Sequence, residues 1–400
     1  MTSLAEFISA SPSAFHAAQA VRDACVAAGF TEDTATTPGG HVHVQGGAVI
    51  AWWVPESPRA RFRIVGSHTD SPGLMLKPGA EFAGEGFRQL PVEIYGGPLL
   101  HTWTDRELAF AGRISLADGT SHLIRTPAIA RVPSLAIHLY RGDVPELDRQ
   151  AHMQPVLCVD ESMREIIAAA AGVDPAAVIS HELISVDTQA PAVVGETLAA
   201  GRLDNLTSVH ASLAALLDAV DDAEDVLVLA AFNHEEVGSA SATGAGGPLL
   251  ERVLAKLAAE LAPELGDPLE LYAASSIISA DAAHAVHPNY PQKHDPTHRP
   301  LINKGPVLKI NANQRYSSDA ETQAVFTRAA AAASVPVQTF VGRNDVPCGS
   351  TIGPISATRL GIPTVDAGVP LLAMHSAREL VGLKDQAWFQ QALTAYYKGA

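Results

Sequence analysis

DVLVLAAFNHEEVGSASATGAG, residues 225–246, decides how this chain is read. Its first eight residues, DVLVLAAF, form a strand-length apolar run without polar alternation, as expected of a strand buried on both faces of a sheet. The run ends in two adjacent glutamates, Glu235 and Glu236, and then in glycines. Like charges side by side repel, and at the end of a buried strand each also loses hydration, so a positive partner is expected there. A metal ion is the candidate. A single-helix H-E-x-x-H zinc motif is excluded, because position 238 is Gly.

The same alternation recurs along the chain. RFRIVGS precedes HTD, YAASSIIS precedes ADAAH, GPVLKINA precedes the helical run DAETQAVFTRAAAAAS, and PVQTFVG precedes RNDVPCGSTIGPISATRLG. Apolar strands followed by helices predict an α/β domain on a mainly parallel sheet. Near the start, SPSAFHAAQAVRDACVAAGF reads as a helix capped by Ser11, with Pro12 in its first turn and Gly29 ending it. Over residues 91–193 the texture becomes short and β-rich, as in LAFAGRISLADGT, which predicts an inserted second domain within a discontinuous 1–90 and 194–400 domain.

At 400 residues the chain exceeds what one hydrophobic core usually supports, and 47% apolar residues supply material for two. Lys and Arg number 27 against 43 Asp and Glu, a net charge of −16, which argues against a nucleic-acid partner. No uncharged apolar run reaches the ~18 residues of a membrane span. Three scattered cysteines, Cys25, Cys158 and Cys348, suit a reducing compartment and exclude a cysteine zinc site. With Glu6 and no basic residue ahead of the first apolar stretch, the expectation is a cytoplasmic protein.

Carboxyl ends of strands converge on one edge of an open α/β sheet, where ligands bind. His68 follows RFRIVGS, Glu236 follows DVLVLAAF, and Asp281 follows YAASSIIS. Asp204 stands just ahead of the helix opened by GRLDN, and His375 follows the strand-like DAGVPLL. Five such donors exceed one tetrahedral zinc but suit two ions sharing a carboxylate. The expected division places Asp204 as the bridge, His68 and Asp281 on one ion, and Glu236 and His375 on the other. Asp70 is then expected to accept the second ring N–H of His68. Neighbouring residues at a strand end point to opposite sides, so Glu235 is left to face the attacking water as general base.

In order and spacing, SHTDSPGLMLKP, GRLDN, NHEEVGSASATGA, SADAAHAVHPNY, KGPVLKINANQRYSSD, RNDVPCGSTIGP and LAMHSARE resemble the aspartyl aminopeptidase family of co-catalytic zinc metallopeptidases. HTWTDREL, PSLAIHLYR and DTQAP extend the resemblance into the insert. It implies the same ligand set, two Zn2+ per subunit (replaceable by Co2+ or Mn2+), Glu235 as base, and release of an N-terminal Asp or Glu from peptides. It also implies that the insert is a dimerisation domain and that subunits form a tetrahedral homododecamer. By the same match His138 reaches a neighbouring subunit's active site, and Lys309 with Tyr316 recognises the acidic side chain of the substrate. Two departures stand out: His234 where the family carries an acidic residue, and PLLHTWTDREL in place of GLWHTWFDRDL. The histidine-dense run His284, His287, His294 and His298 is read as an ordinary loop supporting Asp281, without a third metal. Another two-metal hydrolase, such as an amidohydrolase or carboxypeptidase, needs the same donors; a non-catalytic assembly protein would have no need of Glu235.

Overall fold

The computed structural model describes residues 2–79, 81–141, 146–261 and 267–400. One of its sheets has nine strands, with Asp225–Phe232 between Ala48–Val54 and Arg59–His68, and then Ser276–Ala280, Thr364–Gly368, Val307–Ile310 and Gln338–Val341 in spatial order. Every residue of Asp225–Phe232 is buried. Leu227, Leu229 and Ala231 enter one apolar core while Val226, Val228, Ala230 and Phe232 enter the other, the two-residue period of a strand covered on both faces. Helices Leu203–Ala219, Ala320–Ala332 and Leu383–Tyr397 pack on the first face, and Leu249–Leu261 and Ile352–Leu360 on the second.

The sheet is mixed. Its centre is parallel, from Asp225–Phe232 through Arg59–His68 and Ser276–Ala280 to Thr364–Gly368. Ala48–Val54 and Val307–Ile310 run antiparallel to their inner neighbours. Registers Phe232↔His68 and Ala280↔Ala367 bring the ends of the central strands to one edge.

A second, nine-stranded sheet is built of antiparallel pairs around Leu108–Leu116 and Val178–Asp187. It also takes in Gly73–Leu76, Phe82–Gly84 and Phe87–Gln89, ahead of residue 91. A third sheet of five strands, not foreseen in the sequence, includes the antiparallel pair Pro370–Leu372 and Glu379–Gly382, whose connection carries His375. The helix expected from Ser11 starts later, spanning Ala14–Ala27 with Ser13 as its cap, and a shorter helix, Leu4–Ala10, precedes it. The Ser13 hydroxyl is turned to His16 Nδ1 at 2.8 Å, which is why it makes no backbone cap bond. Among the described residues, no helix is long and apolar enough to cross a membrane.

Candidate metal centre

The sheet edge assembles His68, Asp204, Glu236, Asp281 and His375. His68 is the last residue of its strand and is 1% exposed, so its imidazole has no access to bulk water. Its Nε2 lies 3.3 Å from Asp204 Oδ1, 3.6 Å from Asp281 Oδ2 and 3.9 Å from Glu235 Oε2. His375 Nε2 lies 3.3 Å from the other oxygen of Asp204, Oδ2, and 3.6 Å from Glu236 Oε1. Donor atoms of His68, Asp204 and Glu236 come within 4.8 Å of one another, the one such group found among the described residues. His284, His287, His294 and His298 form no group of this kind.

Local backbone explains the convergence. Arg202, in the left-handed region, ends the approach to the helix, and Asp204 and Asn205 hold non-helical angles inside its first turn. Asp204 is fixed by its own N–H to Glu379 Oε2 at 3.0 Å and by Ser71 Oγ on its carbonyl at 2.6 Å. His234 also takes a positive φ, which turns the chain so that Glu235–Val237 forms a single 3-10 turn beyond the strand. The His234 ring meets Ser241 Oγ at 2.8 Å and pins the glycine-rich loop.

Asp70 departs from its expected contact. His68 Nδ1 lies 3.0 Å from the Asp70 backbone carbonyl and 3.4 Å from the carboxylate. The carboxylate instead accepts the backbone N–H groups of Glu235 and Glu236, both at 3.1 Å, and the Tyr95 hydroxyl at 2.7 Å. Neither Tyr95 nor Glu379 is singled out by sequence reasoning. Glu379 stands inside the quoted LAMHSARE motif, four residues after His375; Tyr95 leaves no local signal.

Burial pushes the Glu235 carboxyl up to about 7; the His68 charge pulls against it, while Asp281, Asp204 and Asp70 push the same way. Glu236 is also raised, by burial first. Burial works against charge on His375 too, but the Asp204 hydrogen bond and the Glu236 charge raise it to about 10. The donor set fits a cation. Asp204 Oδ1 and Glu236 Oε1 are buried side-chain oxygens without a hydrogen-bond partner, and such atoms are costly unless something positive satisfies them.

A cleft of about 490 Å³ opens above these residues, lined also by His284, Lys309 and Tyr316. Lys309 is 2% exposed. Its Nζ donates to Asp281 Oδ1 at 2.7 Å and to the Ala282 carbonyl at 3.0 Å, and sits 5.0 Å from the Tyr316 ring centre. Burial, then the neighbouring Lys309 charge, holds His284 down to about 4. His138 is absent from this cleft: it lies on the exposed 3-10 turn Ile137–Leu139 of the second sheet's region.

An α/β sheet with a buried imidazole and carboxylate cluster at its carboxyl edge, opening to a cleft, defines the class of α/β metallohydrolases. The model of the Aminopeptidase I zinc metalloprotease (M18) family matches residues 7–397, and the chain belongs to that family. It is similar to the probable M18 family aminopeptidase 2 of Streptomyces coelicolor, 45% identical over 98% of this chain and 96% of that one. The corresponding protein of Mycobacterium tuberculosis is 43% identical over 98% and 96%. Among solved structures, a chain of the Ape4 and Nbr1 complex superposes with a TM-score of 0.91 at 32% identity, covering 99% of this chain and 84% of that one. A Saccharomyces cerevisiae mApe1 dodecamer subunit gives 0.86 at 25%, covering 99% and 95%. The chain is thus a zinc aminopeptidase of the M18 family.

Proposed function

We propose that this enzyme carries two zinc ions per subunit and removes the N-terminal residue, preferably Asp or Glu, from peptides in the cytoplasm. One observation carries the reading: the two oxygens of Asp204 face different imidazoles, His68 and His375, each at 3.3 Å. A carboxylate divided in this way suits a bridge, with His68 and Asp281 completing one site and Glu236 and His375 the other. Bound zinc supplies Lewis acidity for the scissile carbonyl and lowers the pKa of water; cobalt or manganese accepts the same donors.

Glu235 takes the proton of the attacking water and returns it to the leaving amine. Its carboxylate lies 3.9 Å from His68 Nε2, at the edge of the donor cluster where that water would be held. Asp70 holds the turn that carries it, through two backbone N–H groups. Lys309 has three N–H donors, of which Asp281 and Ala282 occupy two, and the third is available to a substrate carboxylate beside Tyr316. His138, on its exposed turn, reaches the site of a neighbouring subunit and steadies the developing oxyanion. Assembly through the second sheet's domain into a tetrahedral dodecamer supplies that neighbour, as the dodecameric state of yeast mApe1 favours.

The test is hydrolysis of two peptides alike except for an N-terminal Asp or Leu, before chelation, after it, and with zinc restored. Faster release of Asp, abolished by chelation and returned by zinc, is expected. Equal rates on the two peptides would remove the acidic preference, and no cleavage under any metal condition would remove the aminopeptidase reading.

A further inference from the structure

Residues Tyr95–Leu99 leave the edge of the second sheet and run across the metal centre. Antiparallel register pairs Tyr95 with Gly73, three residues beyond Asp70, so the tyrosine is delivered beside the Asp70 side chain. Gly96 has φ +69°, and a Cβ there would stand 3.1 Å from Glu236 Cβ, so no larger residue fits without moving a donor. The Leu99 N–H donates to the His375 carbonyl at 3.0 Å. One short segment therefore touches Asp70, Glu236 and His375.

The tyrosine contact bears on the chemistry most directly. Asp70 Oδ2 accepts the Tyr95 hydroxyl at 2.7 Å and the Glu236 N–H at 3.1 Å, and Oδ1 accepts the Glu235 N–H at 3.1 Å. Oδ1 also lies 3.4 Å from His68 Nδ1, a competing donor. Asp70 is 4% exposed, so water does not compete, and these groups alone decide how its carboxylate is turned. A phenol is protonated at neutral pH and donates to a carboxylate as a charge-assisted hydrogen bond. Without it, the carboxylate is free to rotate towards His68 and away from the two backbone N–H groups, and the turn that carries Glu235 loosens.

We infer that Tyr95 is a positioning residue for the reaction: its hydroxyl fixes Asp70 in the orientation that holds the Glu235 turn. The inference rests on the reading of Glu235 as the base. It makes the second sheet part of the active site within a single subunit.

The test is Tyr95→Phe, which keeps the ring and removes the hydroxyl, with Glu235→Gln as control, each in the zinc-loaded full-length enzyme. The expected result for Tyr95→Phe is a kcat lowered about tenfold, the size of one charge-assisted hydrogen bond, with KM and bound zinc unchanged. In an Asp70→Asn background the same substitution is expected to cost nothing further, because its only route to the base is gone. If the wild type cleaves peptides and Glu235→Gln is as active, the base reading falls and the inference with it. If Glu235→Gln is inactive, three results overturn the inference alone: an unchanged kcat in Tyr95→Phe, a loss expressed in KM or zinc content, or an equal loss with Asp70→Asn present.

Discussion

Lys309 Nζ donates to Asp281 Oδ1 at 2.7 Å, so the cleft's lysine is tied to a candidate zinc ligand. The pair is buried, which keeps the interaction strong but also makes either partner costly to leave alone. Lys309 therefore orients Asp281 and, under the proposed function, would also offer a positive charge to the substrate.

The two jobs separate in Lys309→Met. Loss of an orienting partner typically lowers metal affinity or activity about 10–100-fold, and this part falls on every substrate. Loss of the charge falls only on peptides that begin with Asp or Glu. The expected outcome is a lower kcat/KM for both test peptides and a deeper fall for the Asp peptide. A fall of equal size on the two would leave Lys309 with the orienting job alone.

Asp204→Asn tests the bridge. An amide has one acceptor oxygen where the carboxylate has two, so one of the two imidazole-facing positions is lost. Zinc content, measured by atomic emission on the purified chain, is expected to fall from two per subunit to one or fewer. Activity is expected to fall by more than the ~100-fold that outer partners cost. In the intact enzyme, chelation is expected to lower Tm, because zinc binds the folded state and the unpartnered Asp204 Oδ1 and Glu236 Oε1 lose their cation. A Tm indifferent to chelation would contradict a metal held by these atoms.

The convergence of these side chains was legible because apolarity announces a strand buried on both faces, and the polar residue that ends each run then stands at the sheet edge. His68 after RFRIVGS and Asp281 after YAASSIIS are both placed in this way. Strand direction was not legible: Val307–Ile310 runs antiparallel to Thr364–Gly368, yet its apolar composition suits either sense, since burial and not direction sets composition. The third sheet was hidden because its strands are two to four residues long, too short to show a period. Tyr95 was hidden for another reason. Its partner Asp70 is 25 positions away and reached only through the Gly73 pairing, which no local pattern encodes.

His16 carries a pH dependence of stability. Burial, with the charges of Arg125 and Arg202, holds its imidazole down from 6.5 to about 4 in the folded chain. Between those values the unfolded chain binds the extra proton and the folded chain does not, so stability is fully present above about 6.5 and is lost as pH falls towards 4. His16→Gln removes that titration while keeping a polar group near Ser13. Chemical denaturation at a series of pH values is expected to show a shallower acid loss in the variant, and an identical slope would show that His16 takes no part.

The loop that carries His138 bears on assembly. Leu135, Ile137 and Leu139 are 53%, 67% and 72% exposed, and three large apolar side chains around one short turn are unusual on a free surface. Burial of such a cluster against another subunit would contribute hydrophobic free energy and carry His138 with it, so the proposed role of His138 would couple catalysis to assembly. The two are separable by substitution. Ile137→Glu with Leu139→Glu is expected to shift the protein to smaller species by light scattering and to lower activity, because a charge in an apolar interface stays unpaired. His138→Ala is expected to leave the assembly intact and lower kcat about 10²–10³-fold, the range for removal of one oxyanion donor. Mixing His138→Ala with Glu235→Gln then asks whether the histidine acts across the interface: the first keeps the base and metal donors, the second keeps the histidine, so mixed assemblies of two impaired proteins are expected to regain activity. No gain of activity in mixed assemblies would place His138 in its own subunit's site and sever the coupling.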